Sequence, residues 1–353
     1  MRVPNRSIDD RVGVRGAIDQ AISWAVVNAN SLPWIGPFVA RVAFRIRKLR
    51  LAISDPIIRF DWCGHRIRLP LSHELPRFTS IFPDYNRNLA RITSAVTGEL
   101  GRPLKAIDVG ANVGDTALLM LAHGADFVLC IEGSSRYAKL LRDNVAGVRG
   151  VACEECLVAF AGARDGLMIS ESRGTGFVVE AVGGASSVPM STLDSVVGRH
   201  ADAMPEVDLV KIDTDGFDGG IIRQHAGFLQ RFLPVMFFEF YFSPSPDVPD
   251  TLPCPDISAL DVLEGIGYDG MIVFRNTGEA AHSGRLSLDR EQVLSLGAKG
   301  AFGPYADIAV FHRTKESQFA ACLSEFGCAS PRVEPIARKP SDESSAASSA
   351  RHS

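Results

Sequence analysis

A glycine-containing turn follows the first strongly apolar stretch of the sequence. It precedes an apolar helical segment at residues 117–122, and it reads Asp108-Val109-Gly110-Ala111-Asn112-Val113-Gly114-Asp115. In an open α/β sheet, the crevice at the carboxyl end of such a strand holds a ligand, and glycines let the backbone approach that ligand closely. We therefore expect a site for a nucleotide-like cofactor, lined by Asp108, Gly110, Ala111, Asn112 and Gly114.

The charge of this turn indicates which cofactor it suits. A dinucleotide fingerprint requires glycines in the spacing G-x-G-x-x-G, whereas Asn112 and Asp115 occupy the second and third of these positions. In the first turn of a helix, Asp115 opposes a pyrophosphate that approaches the same N-terminus. S-adenosylmethionine carries a positive sulfonium, an ammonium group and a ribose diol but no phosphate, so a nearby carboxylate such as Asp108 attracts it. The turn therefore favours a methyl donor.

A second acid supports this interpretation. Glu132 ends the predicted second strand, where a carboxylate can accept two hydrogen bonds from a ribose diol. The alternative is helix capping, with Asn112 and Asp115 at the start of the helix after the turn and Glu132 before the helix that begins near Ser135. The order of acid, glycine pair and acid along the chain favours the cofactor site.

Short apolar runs alternate with helical segments between residues 104 and 315. Strands are predicted at residues 106–109, 127–132, 156–160, 209–213, 235–240, 271–274 and 308–312. Helices are predicted after the first two strands, near 219–232 and near 256–266. This alternation is typical of an α/β fold with a doubly wound, mostly parallel sheet. We expect residues 104–315 to form the main domain.

Residues 1–55 form a predicted N-terminal helical segment that is partly basic and amphipathic. Residues 20–40 carry no charge, but their asparagines, prolines and glycine argue against a membrane-spanning helix. Within 38–50, the apolar residues Phe38, Val42, Ile46 and Leu49 recur at helical spacing against a basic face. This pattern is typical of a helix lying on an anionic membrane surface, and equally of a helix packed on its own domain or on a dimer partner. Peripheral membrane contact and a homo-oligomer both remain open.

Two further segments flank the main domain. Residues 56–103 are predicted as a lead-in, with a β-hairpin at 57–69 and a helix at 88–100. Residues 316–353 form a C-terminal segment whose composition shifts to proline, serine and alanine. From about residue 331 this segment cannot bury enough apolar surface to fold, so we expect disorder there.

Five motifs in a fixed order resemble the FkbM-type S-adenosylmethionine-dependent methyltransferases over residues 80–313. They are the 108–115 turn, Glu132, the run Val188-Pro189-Met190-Ser191-Thr192-Leu193-Asp194, the run from Val210 to Asp218, and Glu239. The resemblance implies a class I methyltransferase fold, Rossmann-like, with a mostly parallel seven-stranded sheet. It also implies methyl transfer to a hydroxyl of a sugar, glycan or related natural product. On this resemblance Asp108, Gly110, Asn112, Gly114 and Glu132 line the donor pocket, and Asp213 and Asp215 lie at its acceptor edge.

The chain departs from the family pattern at two places. Gly133 stands where family members commonly have proline after the second-strand acid. The run at residues 214–218 reads Thr-Asp-Gly-Phe-Asp in place of Val-Glu-Gly-Ala-Glu, so both of its acids are one methylene shorter. A shorter side chain can retract a base or a metal ligand by more than an ångström, which bears on the acceptor chemistry more than on donor binding.

The candidates for catalysis are four acids, namely Asp213, Asp215, Glu239 and Asp218, of which the first three are favoured. Methyl transfer to an alcohol is an in-line displacement at the sulfonium, usually with a base that takes the hydroxyl proton. Converging carboxylates can raise one pKa into the useful range, or can jointly bind Mg²⁺ or Ca²⁺ and lower the pKa of the alcohol. We expect Asp215 near the acceptor with Asp213 as its partner, and the sequence leaves a divalent metal undecided.

Other interpretations of this region remain open. Asp218 is either a further candidate acid or a turn and N-cap residue. His225 is an alternative base or a solvated helix histidine. Asp213-x-Asp215 also matches the spacing with which glycosyltransferases hold a metal and a nucleotide sugar. Loss of the acceptor chemistry would instead leave a non-catalytic, adenosylmethionine-binding or membrane-docked partner protein. A proline-rich stretch at 243–255 is predicted as an acceptor lid.

Composition limits the classes of partner. The 353 residues are 46% hydrophobic and 22% charged, and 37 basic against 41 acidic residues give a net charge of −4. No global positive field exists to hold nucleic acid, so we expect a small-molecule or glycan acceptor. Seven cysteines without the density of a disulfide scaffold fit a reducing cytoplasm. Cys153 and Cys156 lack the second pair of a zinc site.

Overall fold

The computed structural model describes residues 14–29, 32, 34–82, 84–161, 167–172, 175–180, 188–244 and 254–328. Most of the predicted lid at 243–255, and all of the predicted disorder past residue 331, lie outside these residues. The described part of the chain contains helices on both faces of one large sheet, together with three two-stranded pairings.

The helices are α1 (Val14–Asn28), α2 (Gly36–Ile53), α3 (Leu75–Ile81), α4 (Arg87–Leu100), α5 (Asp115–Ala122), α6 (Ser135–Val145), α7 (Leu193–Gly198), α8 (Asp218–Gln224), α9 (Ala226–Phe232), α10 (Ile257–Ile266), α11 (Leu286–Ala298) and α12 (Glu316–Glu325). The strands are β1 (Ile57–Trp62), β2 (His65–Pro70), β3 (Leu104–Val109), β4 (Ala125–Glu132), β5 (Val151–Glu155), β6 (Leu157–Val158), β7 (Leu167–Ser172), β8 (Thr175–Glu180), β9 (Met190–Ser191), β10 (Leu209–Ile212), β11 (Val235–Tyr241), β12 (Tyr268–Arg275), β13 (Ala280–Arg285) and β14 (Tyr305–His312).

The large sheet has the strand order β13-β12-β14-β11-β10-β3-β4-β5. Its strands β5, β4, β3, β10 and β11 are parallel to one another, while β14 is antiparallel to both β11 and β12. The predicted α/β fold with a mostly parallel sheet is confirmed. Among the described residues the sheet has eight strands, not the expected seven, because β13 adds an antiparallel edge strand. The sequence of β13, Ala-Ala-His-Ser-Gly-Arg, has too little apolar character to signal a strand.

The strand predicted at residues 156–160 is confirmed only at residues 157–158, and it does not join the large sheet. The strand beside β4 is β5, whereas β6 pairs with β9 outside the large sheet. Cys156, Val158 and Phe160 are buried against the helices of one sheet face, so their apolar character reflects that packing. β5 is an edge strand whose residues are only half-buried, and it therefore carries polar residues that weaken its sequence signal.

Two hydrophobic cores cover the two faces of the sheet. The first contains side chains from the β1–β2 hairpin and from α4, α5, α6 and α12, and the second contains side chains from α7 to α11. Strands buried on both faces read as continuous apolar runs, which is why most of them are recognisable in the sequence. The carboxyl ends of the parallel strands stay free of this packing and face the candidate site.

The N-terminal elements pack onto the main fold. The predicted hairpin is confirmed as β1–β2, and its Ile67 and Leu69 are buried in the first core. The indole N–H of Trp62 donates to the carbonyl oxygen of Asp115 over 2.9 Å, which fixes the hairpin to the start of α5. Arg50 of α2 pairs with Asp19 of α1 at 2.7 Å. No helix among the described residues is long and apolar enough to cross a membrane.

The segment predicted as one helix near 219–232 is two helices, α8 and α9, which meet at His225. His225 is buried, and its Nε2 lies 2.9 Å from the carbonyl oxygen of Ala159. Burial lowers the pKa of this imidazole. The interpretation of His225 as a solvated helix histidine is therefore wrong, because the break between the helices turns the ring into the protein.

Candidate functional site

The turn after β3 is held between its two neighbouring strands. The backbone N–H groups of Gly110 and Ala111 donate to the carbonyl oxygen of Ile131, over 2.9 and 3.2 Å. Gly110 has φ +74°, and a Cβ atom there would lie 1.9 Å from the carbonyl oxygen of Asp213. Only glycine allows both this backbone conformation and this close approach. The turn therefore lies directly against the loop that follows β10.

Glu132, at the carboxyl end of β4, binds two backbone N–H groups. Its Oε2 accepts from Asn112 over 2.8 Å, and its Oε1 accepts from Ser134 over 2.7 Å. Burial raises the pKa of Glu132 to about 7, although these two N–H groups act in the opposite direction. Each carboxylate oxygen retains a lone pair for a ligand. Glu132 thus fixes the turn and the start of α6, and also faces the cavity described next.

A cavity of about 140 Å³ lies at the carboxyl ends of β3, β4 and β10. We call it the donor cavity, because it lies where the sequence predicts the donor pocket. Its lining comprises Val109, Gly110, Asn112, Ile131, Glu132, Gly133, Tyr137, Cys156, Leu157, Val158, Asp213, Thr214 and Asp215. This lining combines apolar side chains with three carboxylates, and none of the described residues in it is a lysine, arginine or histidine. Such a surface suits a ligand that carries positive charge and an apolar ring, and it offers no cation to a phosphate.

A second, larger cavity of about 390 Å³ adjoins the first, and we call it the acceptor cavity. The two cavities share four lining residues, namely Gly110, Asn112, Asp213 and Asp215. The acceptor cavity adds the aromatic side chains Phe78, Tyr85, Tyr241 and Tyr305, the carboxylates of Glu74, Asp115 and Glu239, and the basic residues His73 and Lys211. The shared residues form the boundary at which ligands in the two cavities would meet.

A buried lysine compensates the acidic side of the boundary. The Nζ of Lys211 lies 3.0 Å from Asp108 Oδ1 and 3.3 Å from Asp213 Oδ2, and it donates to the carbonyl oxygen of Gly110 over 3.1 Å. Burial acts to lower the pKa of Lys211, but Asp108 and Asp213 outweigh it and raise that pKa. Thr116 donates to Asp108 Oδ2 over 2.5 Å. Asp108 is therefore held inside the protein behind the cavities.

Asp218 joins the loop after β10 to β11. Its Oδ2 accepts from the backbone N–H and the hydroxyl of Thr214, over 3.1 and 2.7 Å, and its Oδ1 accepts from the backbone N–H of Glu239 over 3.1 Å. Burial raises the pKa of Asp218 to about 7. Asp218 lines neither cavity, so we assign it a positioning role, which agrees with its interpretation as a turn residue.

Glu239 faces the acceptor cavity but not the donor cavity. Burial raises its pKa well above the usual range, and Asp213 and Asp218 raise it further. The hydroxyl of Tyr241 lies 3.4 Å from Glu239 Oε2. A carboxyl group with a raised pKa is a stronger base once it loses its proton, which is the property that a general base needs.

The acids at this edge do not gather into a metal cluster. Among the described residues, no group of three or more histidine, cysteine, aspartate or glutamate side chains is arranged to hold a metal ion. Asp213 and Asp215 flank the boundary between the cavities, and Asp213 already pairs with Lys211. The Asp213-x-Asp215 spacing therefore has no third ligand beside it in the part of the chain that the structure describes.

Some of the residues predicted from the sequence line the two cavities, and the others lie behind the cavity walls. The donor cavity contains Gly110, Asn112, Glu132, Asp213 and Asp215, and the acceptor cavity adds Glu239. Asp108, Ala111 and Gly114 line neither cavity. Ala111 holds the turn through its backbone, and Gly114, with φ +86°, starts α5 where a Cβ atom would lie 2.6 Å from Leu141.

Several residues of the site were not predicted from the sequence. Lys211 lies in the run from Val210 to Asp218 that carries the family resemblance. A lysine inside an apolar strand indicates a buried ion pair, but its partners are known only from the fold. His73 lies in the segment before α3, and burial lowers its pKa. Tyr85 and Tyr305 come from segments far from the glycine turn in sequence. Nothing in their local sequence distinguishes these two from core tyrosines.

Comparisons with known proteins agree with this architecture. Residues 108–266 match the family model described as the methyltransferase FkbM domain. A comparison with curated proteins finds no significant match.

Among solved structures, the chain is similar to a SAM-dependent methyltransferase from Agrobacterium tumefaciens, with 10% identity, 72% of this chain and 70% of that chain covered, and a TM-score of 0.35. It is similar to a precorrin-6y C5,15-methyltransferase from Geobacter metallireducens, with 14% identity, 63% and 87% coverage, and a TM-score of 0.31. It is also similar to a methyltransferase FkbM from Methylobacillus flagellatus, with 11% identity, 39% and 32% coverage, and a TM-score of 0.27. At these values the similarity carries no inference about substrate.

Proposed function

Residues 108–266 form a domain of the FkbM-type S-adenosylmethionine-dependent methyltransferases, and on this premise we propose that the chain methylates a hydroxyl oxygen of a sugar, glycan or related natural product. One observation carries the proposal: the donor and acceptor cavities meet at Gly110, Asn112, Asp213 and Asp215. In-line displacement requires the donor and the nucleophile on opposite sides of the transferred carbon. Two cavities with a common boundary supply that arrangement.

The residues of the donor cavity fit S-adenosylmethionine. Glu132 would accept hydrogen bonds from the ribose diol, and Leu157 and Val158 offer apolar surface to the adenine ring. Asp213 and Asp215 would face the positive charges of the methionine part. When bound, this cofactor supplies a methyl group on a positive sulfonium. The lack of any cation in the described lining is the reason that a nucleotide diphosphate fits less well.

Glu239 is the residue that we assign as the base. It would accept the proton of the acceptor hydroxyl while the hydroxyl oxygen takes the methyl group. Asp213 and Asp215 would orient the acceptor at the boundary between the cavities, and Lys211 keeps Asp213 in place. This assignment differs from the sequence-based expectation, which placed Asp215 at the centre of the acceptor chemistry. Glu239 is favoured because desolvation raises its pKa well above the usual range and because it faces the acceptor side alone.

The walls of the acceptor cavity favour a neutral polyol. Among the described residues, five acidic side chains face this cavity or its boundary against Lys211 and His73, and desolvation lowers the pKa of His73. An acceptor with a phosphate or carboxylate would therefore be disfavoured. Tyr85, Tyr241 and Tyr305 offer both aromatic faces and hydroxyl groups, a combination that suits a sugar ring. A metal ion is not required by this scheme, because Glu239 takes the proton.

The proposal is tested with S-adenosylmethionine labelled in the methyl group. We would present neutral sugars and glycosides beside their phosphorylated counterparts, and identify the labelled product by mass spectrometry. We expect a base-stable methyl ether on a neutral acceptor, formed equally well in the presence of a metal chelator. Transfer to nitrogen or to a carboxyl group would contradict it. Binding of the donor with no transfer to any acceptor would favour a non-catalytic binding protein.

A further inference from the structure

Helix α2 carries a row of exposed apolar side chains along its outer face. Ile35, just before the helix, begins the row, and Phe38, Val42, Ile46, Leu49 and Ile53 follow at intervals of three or four residues. This spacing places all of them on one face of an α-helix. Phe38 is 70% exposed, Leu49 69% and Ile53 82%. Single exposed apolar residues are common, but a continuous row marks an interaction surface.

A second face of α2 is already packed. Ala43 is buried there, and the Arg47 guanidinium donates to the carbonyl oxygens of Leu71 and Ser72 over 2.9 and 2.8 Å and pairs with Glu74 at 2.9 Å. One side of the helix therefore packs against the rest of this chain, whereas none of the described residues covers the apolar row.

Basic side chains adjoin the apolar row. Arg41, Arg45 and Lys48 are exposed, and none of them has an ion-pair partner within the part of the chain that the structure describes. The helix Gly36–Ile53 contains no aspartate or glutamate. Trp34, which precedes the helix, is fully exposed, and tryptophan is enriched at the boundary between headgroups and acyl chains. An apolar row beside uncompensated positive charge is the pattern of an interfacial helix.

We propose that this face of α2 binds an anionic lipid bilayer, with Phe38, Leu49 and Ile53 inserted among the acyl chains and Arg41, Arg45 and Lys48 at the headgroups. A lipid surface complements both the apolar row and the charge. A second copy of this chain complements only the apolar row, because pairing through this face would bring like charges together. This inference does not rest on the proposed methyl transfer.

The membrane-facing helix is joined to the catalytic part of the molecule. Arg47, on its packed face, holds the segment at residues 71–74, and His73 and Glu74 of that segment line the acceptor cavity. Binding of α2 to a bilayer therefore anchors a wall of the acceptor cavity beside the lipid surface.

The test is flotation of the full chain with vesicles of phosphatidylcholine alone, or of phosphatidylcholine with one third phosphatidylglycerol. We expect about hundredfold stronger binding to the anionic vesicles at low ionic strength from the three basic residues, and a marked loss at high ionic strength. The emission of Trp34, identified as the part of the fluorescence that is lost in Trp34→Phe, should shift to shorter wavelength when the chain binds vesicles. Substitution of Arg41, Arg45 and Lys48 by glutamine should reduce binding to the level of neutral vesicles.

The double variant Phe38→Ser, Leu49→Ser should not bind the vesicles. Leu288 of α11 is 62% exposed, so Leu288→Ser is the matched control and should bind as the unaltered chain does. All these side chains are exposed, so folding should be unchanged, which circular dichroism verifies. Three results would overturn the inference: no binding at low ionic strength, equal binding to both vesicles, or a dimer of the unaltered chain that the Phe38 and Leu49 substitutions convert to monomer.

Discussion

Lys211 determines the charge balance of the site. Its ammonium group lies among Asp108, Asp213 and the carbonyl oxygen of Gly110, inside the protein. Removal of one partner of a buried ion pair leaves the other charge uncompensated, at a cost of about 3–5 kcal/mol. We expect Lys211→Met to lower the free energy of unfolding by about this amount, as measured by urea denaturation.

Lys105→Met is the matched control, because Lys105 pairs with the largely exposed Asp126 and should cost at most about 1 kcal/mol. Equal stabilities of the Lys211 and Lys105 variants would show that Asp108 does not depend on Lys211.

Glu239 is the residue whose chemistry can be tested by kinetics. Glu239→Gln removes the base and keeps the shape, so kcat should fall by about 10²–10⁴-fold while donor binding changes by less than about twofold. Because burial raises the pKa of Glu239, kcat of the unaltered enzyme should rise with pH as the carboxyl group ionises, and this rise should be absent in the variant. Glu291→Gln, at a largely exposed position, is the control. An unchanged kcat in Glu239→Gln would exclude Glu239 as the base.

Individual residues show what a sequence can and cannot reveal. That Gly110, Glu132, Asp213 and Asp215 line one cavity could be predicted, because their types and spacing are typical of a cofactor site. The burial of Asp108 could not be predicted, because its charge is compensated by Lys211, which lies on a strand about a hundred residues later. Asp108 was expected to attract the cofactor directly, whereas it is already paired and acts on the cavities through Lys211 and the turn.

At the scale of elements, the turn after β3 must lie against the loop after β10. Gly110→Ala would introduce a Cβ atom 1.9 Å from the carbonyl oxygen of Asp213, so the turn must move and the donor cavity must change shape. Gly101→Ala is the matched control, because Gly101 also has positive φ but open space around it. We expect Gly101→Ala to cost about 1–2 kcal/mol of stability and to leave donor binding intact.

Gly110→Ala should cost more stability than Gly101→Ala and should abolish donor binding, as calorimetry and urea denaturation can measure. Donor binding by Gly110→Ala equal to that of the unaltered chain would contradict the account of this turn.

The elements of the central sheet were predictable wherever strands are buried on both faces. β3, β4, β10, β11, β12 and β14 lie where apolar runs predicted strands. The edge strands β5 and β13 were misplaced or missed, because a half-buried edge tolerates polar residues and loses the apolar signal. The break between α8 and α9 was missed for a related reason, since the apolar positions on either side of His225 continue at helical spacing.

For the whole molecule, three acids with raised pKa values predict how stability depends on pH. Burial raises the pKa of Glu132, Asp218 and Asp307 to about 7 in each case. The folded chain therefore binds more protons than the unfolded chain between about pH 4 and 7, so stability falls as pH rises through this range. Each proton contributes at most about 1.4 kcal/mol per pH unit. Urea denaturation without donor should give a larger free energy of unfolding at about pH 6 than at about pH 8.

Asp307→Asn should weaken this dependence while retaining a hydrogen bond to Asn88, which now lies 2.8 Å from the Asp307 carboxylate. A free energy of unfolding that rises with pH over the same interval would contradict the raised pKa values of these three acids.

The central claim is that the donor cavity binds S-adenosylmethionine through Glu132, and calorimetric titration tests it most directly. Glu155→Gln is the matched control, because Glu155 lies opposite Glu132 in register on β5 but lines neither cavity. We expect the unaltered chain and Glu155→Gln to bind equally, and more tightly at about pH 8 than at about pH 6 because Glu132 ionises near 7. Glu132→Gln should bind at least about tenfold more weakly and without this pH dependence. Equal binding by Glu132→Gln, or binding of a nucleotide diphosphate sugar in place of S-adenosylmethionine, would contradict the account.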